Sequence, residues 1–179
     1  MWRYLGISLI LGGTAGVLYS WTYEQKRRVK RLEEFMLFLQ KSIFAMETEK
    51  IKVVDYFVRY ICQSRLRGEN RETSLEKILE EIIKRLSANT YPNGHMVWEE
   101  VFKEEEQNWA FDQEVFQIVL QAGNGFFGRS RAENISFLQK NLKELEARLV
   151  NLKEKDVRER KVWIPVGMLG AVMTVIIFL

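Results

Sequence analysis

The charged residues of this chain are confined to its middle. Of 27 basic and 24 acidic residues, all except Arg3 lie between Glu24 and Lys161. The stretches 4–23 and 162–179 contain no Asp, Glu, Lys or Arg. A helix of about 20 residues is roughly 30 Å long, which matches the hydrocarbon core of a bilayer. The pattern predicts a charged domain at residues 24–161, held between transmembrane helices at residues 1–23 and 162–179.

Aromatic and basic residues flank both apolar stretches. A cleaved signal peptide is the main alternative for the first stretch, but its strong positive charge follows the apolar run, which favours an uncleaved anchor. Basic residues beside a span stay in the cytoplasm, so we expect a cytoplasmic central domain in a cell-membrane protein. The membrane-proximal basic residues are Lys26, Arg27, Arg28, Lys30, Arg31, Arg158, Arg160 and Lys161.

Small residues recur at helical spacing within both apolar stretches. Such faces let helix backbones approach closely in lipid, either between the spans of one chain or between subunits of a homo-oligomer. The predicted packing residues are Ser8, Gly12, Gly16 and Ser20 in the first stretch, and Gly167, Gly170, Ala171 and Thr174 in the second.

The composition of the central segment excludes some functions. Residues 32–152 carry 16 basic and 20 acidic side chains, so no basic face is expected there and a nucleic-acid partner is not predicted. The basic flanks fit anionic lipid headgroups instead. The single cysteine, Cys62, cannot form an internal disulfide, and its apolar setting predicts a small buried residue in a reducing compartment.

Apolar residues of the central segment recur at helical spacing, which predicts an all-α bundle of about six helices. Two heptad-like stripes mark its first and last helices, and bundle packing is favoured over an extended coiled coil because each stripe is short. The first stripe is Val29, Leu32, Met36, Leu39, Ile43 and Met46, and the second is Ile135, Leu138, Leu142, Leu145, Leu149 and Leu152.

Turn and capping signals separate the helices. Thr73-x-x-Glu76 and Ser130-x-x-Glu133 have the spacing of capping boxes. The stretch 89–94 predicts a loop, and the fourth helix after it carries Trp98, Val101, Phe102 and Trp109 on its inner face. The stretch 123–128, which contains three glycines, predicts a helix–helix turn in which glycine supplies a positive φ.

No catalytic constellation is visible. His95 and Glu99 have metal-ligand spacing on a helix, but no further His or Cys lies nearby, so neither a metal nor another cofactor is expected. The acidic cluster is more typical of a solvated helix face than of an acid–base pair, and we predict that the protein is not an enzyme. Its residues are candidates for docking a partner: Glu99, Glu100, Glu104, Glu105 and Glu106.

Several short motifs, in this order, resemble the stage III sporulation protein AB family of endospore-forming bacteria over nearly the whole chain. They are Arg3-Tyr-Leu-Gly6, Met46-Glu-Thr-Glu49, Asn93-Gly94 ahead of Val97-Trp98, Phe127-Gly128, and Lys161-Val-Trp163 leading to Gly167-Met-Leu-Gly170. The chain departs from that family where Phe127 replaces a Leu, and where Arg131 and Asn134 stand near the places of an Asp and a Gln.

The resemblance implies a fold and a setting. The family is similar to the inner-membrane platform protein of type II secretion and type IV pilus machines, a six-helix cytoplasmic bundle tied to membrane spans. The resemblance implies a structural subunit of the channel between mother cell and forespore, located in the mother-cell membrane, with a secretion-type ATPase and other channel subunits as partners.

The alternative function is a membrane-anchored regulatory adaptor that binds a partner helix through the heptad stripes. A membrane-bound hydrolase that uses the carboxylate cluster ranks last.

Overall fold

The computed structural model describes residues 2–49, 51–66, 74–88, 93–128 and 130–178. Its described residues form seven α-helices and no strand, which confirms the all-α class. The helices are α1 (Trp2–Thr48), α2 (Val53–Leu66), α3 (Ser74–Ser87), α4 (Gly94–Glu104), α5 (Glu106–Trp109), α6 (Gln113–Phe126) and α7 (Arg131–Phe178).

The chain divides into two compact units. Unit 1 combines residues 1–30 with residues 149–179, and unit 2 comprises residues 31–148. The two long helices, α1 and α7, therefore each contribute to both units, whereas α2 to α6 belong to unit 2 alone. Within unit 2, α4 packs against α3 and α6, and α2 packs against α3.

Aromatic rings form the centre of unit 2. Trp98 of α4 is fully buried, and its ring centroid lies 4.6 Å from that of Phe102 and 5.0 Å from that of Phe126. Phe38 joins α1 to the same cluster, at 5.7 Å from Phe57 of α2. Aromatic pairs at these separations and angles stabilise the fold beyond the free energy gained by burying their surface. The buried Trp98 Nε1 donates to the carbonyl of Val119 at 2.9 Å, so its polar atom is satisfied.

The predicted stripes are partly buried in the core of unit 2. In α1, Leu32, Leu39, Ile43 and Met46 are buried, but so are Phe35, Phe38, Ser42 and Ala45, so the buried face is wider than a heptad seam. In α7, Leu138 and Leu145 are buried, whereas the other buried positions are Asn134 and Asn141 instead of Ile135 and Leu142. This breadth is typical of globular bundle packing, in which one helix contacts several others.

The prediction of a turn at residues 123–128 is wrong in its first half. Gly123 and Gly125 lie inside α6, which ends only at Phe126, and neither has a positive φ. A Cβ atom on Gly123 would lie 2.7 Å from the Trp98 ring, and one on Gly125 would lie 2.6 Å from Leu138. These glycines therefore serve close helix packing, since a side chain at either position would collide with a buried neighbour.

The predicted fourth helix is divided in two. α4 ends at Glu104, and the single turn of α5 carries the buried Trp109. Ala110 then adopts a left-handed conformation with φ 50°, which ends α5. Arg31 of α1 donates to the Trp109 carbonyl at 3.0 Å and so satisfies a helix C-terminus within unit 2. Arg31 was predicted as a membrane-proximal residue, and this bond gives it a structural contact in the bundle.

One of the two predicted capping boxes can be compared with the structure. The backbone N–H of Glu133 donates to Ser130 Oγ at 3.3 Å, which confirms Ser130 as the cap of α7. Thr73 lies outside the described residues, as do residues 89–92 of the predicted loop. Glu76 is buried, and its carboxylate accepts a hydrogen bond from Ser64 of α2. It thereby joins two helices of the bundle.

The prediction for Cys62 is wrong. Cys62 was predicted to be buried, but it is exposed because it lies on the outer face of α2, whose buried residues are Tyr56, Phe57 and Ile61.

Among the described residues, no helix is both long enough and apolar enough to cross a membrane. The spans predicted at residues 1–23 and 162–179 correspond to the start of α1 and the end of α7, and both helices continue into charged segments.

Candidate functional site

Three of the five predicted docking carboxylates, Glu99, Glu100 and Glu104, lie on the outer face of α4. Four residues of this helix, Val97, Trp98, Val101 and Phe102, face the core. The 3.6-residue period of the helix then turns the residues between them outward. They line a shallow surface depression, here called the acidic groove, which consists of Met96, Glu99, Glu100, Lys103 and Glu104.

One arginine of the neighbouring helix connects the groove to α3. Arg85 Nη2 lies 2.6 Å from Glu104 Oε2, and Arg85 Nη1 lies 3.6 Å from Glu100 Oε2. Its Nε donates to Glu81 Oε1 at 2.9 Å. The Arg85 side chain is only 22% exposed. A planar guanidinium can serve several carboxylates at once, so Arg85 holds the two helices in register.

These pairs shift the pKa values of the groups involved. The hydrogen bond to Glu104, followed by that to Glu81, raises the pKa of Arg85 above its ordinary value. The hydrogen bond from Arg85, helped by Lys84, lowers the pKa of Glu81. At the other end of the groove, the hydrogen bond from Lys103 lowers the pKa of Glu99. These shifts favour the charged forms of Arg85, Glu81 and Glu99.

Lys103 and Glu99 form an ion pair of 2.6 Å within α4. Glu105 follows the helix and accepts a hydrogen bond from Asn108 Nδ2 at 2.6 Å, while Glu106 is exposed in α5. Three of the five predicted docking residues are thus brought together, and two lie beyond the groove. The apolar member, Met96, is 48% exposed. The groove therefore combines one exposed, flexible apolar side chain with charged residues.

His95 does not belong to a cluster of metal-binding side chains in the part of the chain that the structure describes. Among the described residues, no group of three or more His, Cys, Asp or Glu side chains could hold an ion. The carboxylate of Glu99, which has the ligand spacing from His95, is instead bound to Lys103.

The predicted membrane-proximal and packing residues lie mostly in unit 1. Lys26, Arg27, Lys30, Arg158 and Lys161 are exposed, and Arg28 is half-buried. Gly16 and Gly170 have open space where a Cβ would stand, Ser20 is exposed, and Gly167 is half-buried. The structure does not describe the side chains at five of the predicted positions, which are Ser8, Gly12, Arg160, Ala171 and Thr174.

The comparison with known protein families decides the family. The family described as stage III sporulation protein AB matches residues 3–179. The chain belongs to the stage III sporulation protein AB family. This family is not known as a family of enzymes. No curated protein and no solved structure matches the chain.

Two residues at the groove of this stage III sporulation protein AB family member, Arg85 and Met96, were not predicted from the sequence. Arg85 was not singled out, although Glu81 and Arg85 are four residues apart and so predict an ion pair on α3. Its further contacts with Glu100 and Glu104 depend on how α3 packs on α4, which no local pattern shows. Met96 was missed because it directly precedes the core residues Val97 and Trp98, and an apolar run of this kind does not show which of its members faces outward.

Proposed function

We propose that this family member is a structural platform subunit of a sporulation-associated, secretion-like channel complex between mother cell and forespore. In this proposal, unit 2 lies in the mother-cell cytoplasm and docks a secretion-type ATPase through the acidic groove. Family membership over residues 3–179 is the observation that carries the proposal. The specific platform role comes from the likeness of that family to secretion platform proteins.

The charges and contacts of the acidic groove support a docking role. Glu99, Lys103 and Met96 all line the groove, and Met96 is 48% exposed. Arg85 holds the α4 side of the groove against α3, so the surface is preorganised before a partner arrives. A partner with basic side chains around an apolar residue would complement this surface.

We also propose that the apolar stretches at 4–23 and 162–179 cross the mother-cell membrane. The support comes from α7, where six large apolar side chains are exposed and no charged residue interrupts them. They are Val162, Val166, Leu169, Val172, Met173 and Ile176. An apolar surface of this kind is stable in lipid but marks an interaction site in water. Uncharged helical stretches of about 18–20 residues have the length that a bilayer requires.

The alternative of a regulatory adaptor is disfavoured by burial. That hypothesis needs the heptad stripes to be open to a partner helix, but Leu39 and Leu145 are fully buried in unit 2. Leu142 and Met36 are half-buried, so only the margins of the stripes remain accessible.

Co-purification from sporulating cells tests the docking proposal. The full chain should retain a secretion-type ATPase, and Met96→Ser combined with Glu99→Lys should lose it, because both changes alter the groove without touching Arg85. Glu144→Lys with Ala147→Ser, on the outer face of α7, is the matched control and should retain the ATPase. Recovery of the unmodified chain without any ATPase or channel subunit would refute the platform role.

The single cysteine allows the topology to be tested separately. Cys62 is exposed on α2, so a membrane-impermeant maleimide should label it only after lysis if unit 2 is cytoplasmic. In a Cys62→Ser background, a cysteine placed at Arg3 should be labelled in intact cells. Labelling of native Cys62 in intact cells would overturn the proposed orientation.

A further inference from the structure

The two units of the chain carry opposite net charges. Unit 1 contains ten basic and four acidic residues, whereas unit 2 contains 17 basic and 20 acidic residues. The net positive charge of +3 for the whole chain therefore arises entirely in unit 1. Within unit 1, all of these charges except Arg3 lie in two short segments, residues 24–30 of α1 and 153–161 of α7.

One face of α1 combines this charge with exposed aromatic rings. Tyr19 and Tyr23 are 73% and 51% exposed, and their rings stack with centroids 6.3 Å apart. The guanidinium of Arg27 lies 5.7 Å from the centroid of the Tyr23 ring. At about 100° per residue, Lys26 and Lys30 fall on the same side of the helix, and both are exposed. We call these five residues the aromatic–basic face.

The order of side chains along this face matches the layers of a bilayer surface. The tyrosines come directly at the end of the uncharged stretch, and the three cations follow within two turns of helix. Tyrosine is favoured at the boundary between hydrocarbon and headgroups, and long basic side chains reach headgroup phosphates. No ion pair joins Lys26 or Lys30 to another described residue, and the Glu24 carboxylate already pairs with Arg27 at 3.3 Å. Two full cations are therefore left for a ligand.

We propose that the aromatic–basic face binds anionic phospholipid headgroups in the leaflet that faces unit 2. This inference rests on the proposed membrane spans, because only a membrane position brings the face level with phosphates. The tyrosine pair sets the depth of the helix, and Lys26, Arg27 and Lys30 provide the preference for anionic over neutral lipid. Nucleic acid would be attracted by the same charge, but the exposed rings on the membrane side of the cations favour a lipid surface.

The test measures which lipid surrounds the protein. The full chain is reconstituted into vesicles of phosphatidylcholine mixed with phosphatidylglycerol, in which one lipid or the other carries brominated chains. Quenching of tryptophan fluorescence then gives the relative association constant of the anionic lipid. Each cation near an anionic surface contributes about 1 kcal/mol, which is about fivefold in association. Lys26→Gln, Arg27→Gln and Lys30→Gln together should lower the preference for phosphatidylglycerol at least tenfold.

A matched triple variant separates the face from total charge. Lys52, Lys140 and Lys143 are exposed lysines of unit 2, and their replacement by glutamine should leave the preference unchanged. The preference of the unmodified chain should also fall as salt is raised, because exposed charges are screened.

The possible failures are distinguishable. Equal quenching by both lipids, or an anionic preference that survives the Lys26, Arg27 and Lys30 replacements, would overturn the headgroup site while the spans remain. Absence of quenching by either brominated lipid would overturn the spans and the headgroup site together. Retention of the unmodified chain on duplex DNA, lost in the triple variant and without any lipid preference, would identify nucleic acid as the ligand instead.

Discussion

Gly123→Ala tests whether the glycines of α6 serve helix packing. The added Cβ would lie 2.7 Å from Trp98 Cδ1, 2.9 Å from Trp98 Cγ and 3.1 Å from His95 Cδ2. Ordinary carbon contacts are about 3.5–4.0 Å, so the overlap is close to 1 Å. The indole cannot easily move away, because it is fully buried, flanked by Phe102 and Phe126, and bonded to the Val119 carbonyl at 2.9 Å.

The magnitude follows from two opposing effects. Overpacking in a filled core costs about 1–3 kcal/mol. Alanine is a better helix former than glycine by about 1 kcal/mol, which offsets part of that cost. Displacing the ring would also weaken the Trp98–Val119 hydrogen bond, with a net value of about 1 kcal/mol. We therefore expect the free energy of unfolding to fall by about 1–2 kcal/mol.

A urea titration of the full chain in mild detergent, followed by circular dichroism, measures this change. With a denaturant slope of about 2 kcal/mol/M, the midpoint should fall by about 0.5–1 M. Asn124→Ala, at the next and exposed position of α6, is the control and should keep or slightly raise the midpoint. In a Trp98→Leu background, Gly123→Ala should cost less because the ring atoms are gone. A midpoint for Gly123→Ala equal to that of Asn124→Ala would refute the packing argument.

Three further predictions concern single side chains of unit 2. Asn141 is 1% exposed and its Nδ2 has no hydrogen-bond partner, so it carries a desolvation cost that Leu would not. Asn141→Leu should therefore raise the free energy of unfolding by about 1–3 kcal/mol in the same urea titration. A lower midpoint for this variant would contradict the argument. Burial raises the pKa of Tyr56 from 10.0 to about 12, so the stability due to its neutral phenol is fully present below pH 10 and is lost as the pH rises through 12. Tyr56→Phe should remove this loss of stability at alkaline pH. Equal pH dependence of stability in the variant and the unmodified chain would contradict this role of Tyr56. Ser130→Ala should cost about 1 kcal/mol through loss of the bond to Glu133 N–H, whereas Ser130→Asp, which keeps a capping oxygen, should be close to neutral.

Local patterns were sufficient to predict the helices. The all-α class and the cap at Ser130 depend on interactions within a few residues, which the sequence displays directly. The end of the fourth helix was misjudged because the left-handed conformation of Ala110 has no residue signature. Gly123 and Gly125 were misjudged because a glycine that makes room for a neighbour looks the same in sequence as one that makes a turn.

The candidate site was predictable only in part. The density of carboxylates around Glu99 and Glu104 indicates a charged face of α4, but it does not show which of them are paired. That depends on Arg85, which reaches the groove from another helix. The exposure of Cys62 was also beyond a local pattern, because an apolar neighbourhood along the chain does not show which side of α2 meets the core.

Charge segregation and helical periodicity are properties of the chain itself, because each depends only on residue type and order. They determine the all-α class, the acidic middle, the basic flanks and, through motifs spread over the whole length, the resemblance to the stage III sporulation protein AB family. The tertiary structure alone decided which side chains meet: Trp98 against Gly123, Arg31 at the end of α5, and Arg85 between two carboxylates of α4. The physical reason is that these contacts join residues from 15 to 78 positions apart, and packing of whole helices, not local preference, brings such residues together.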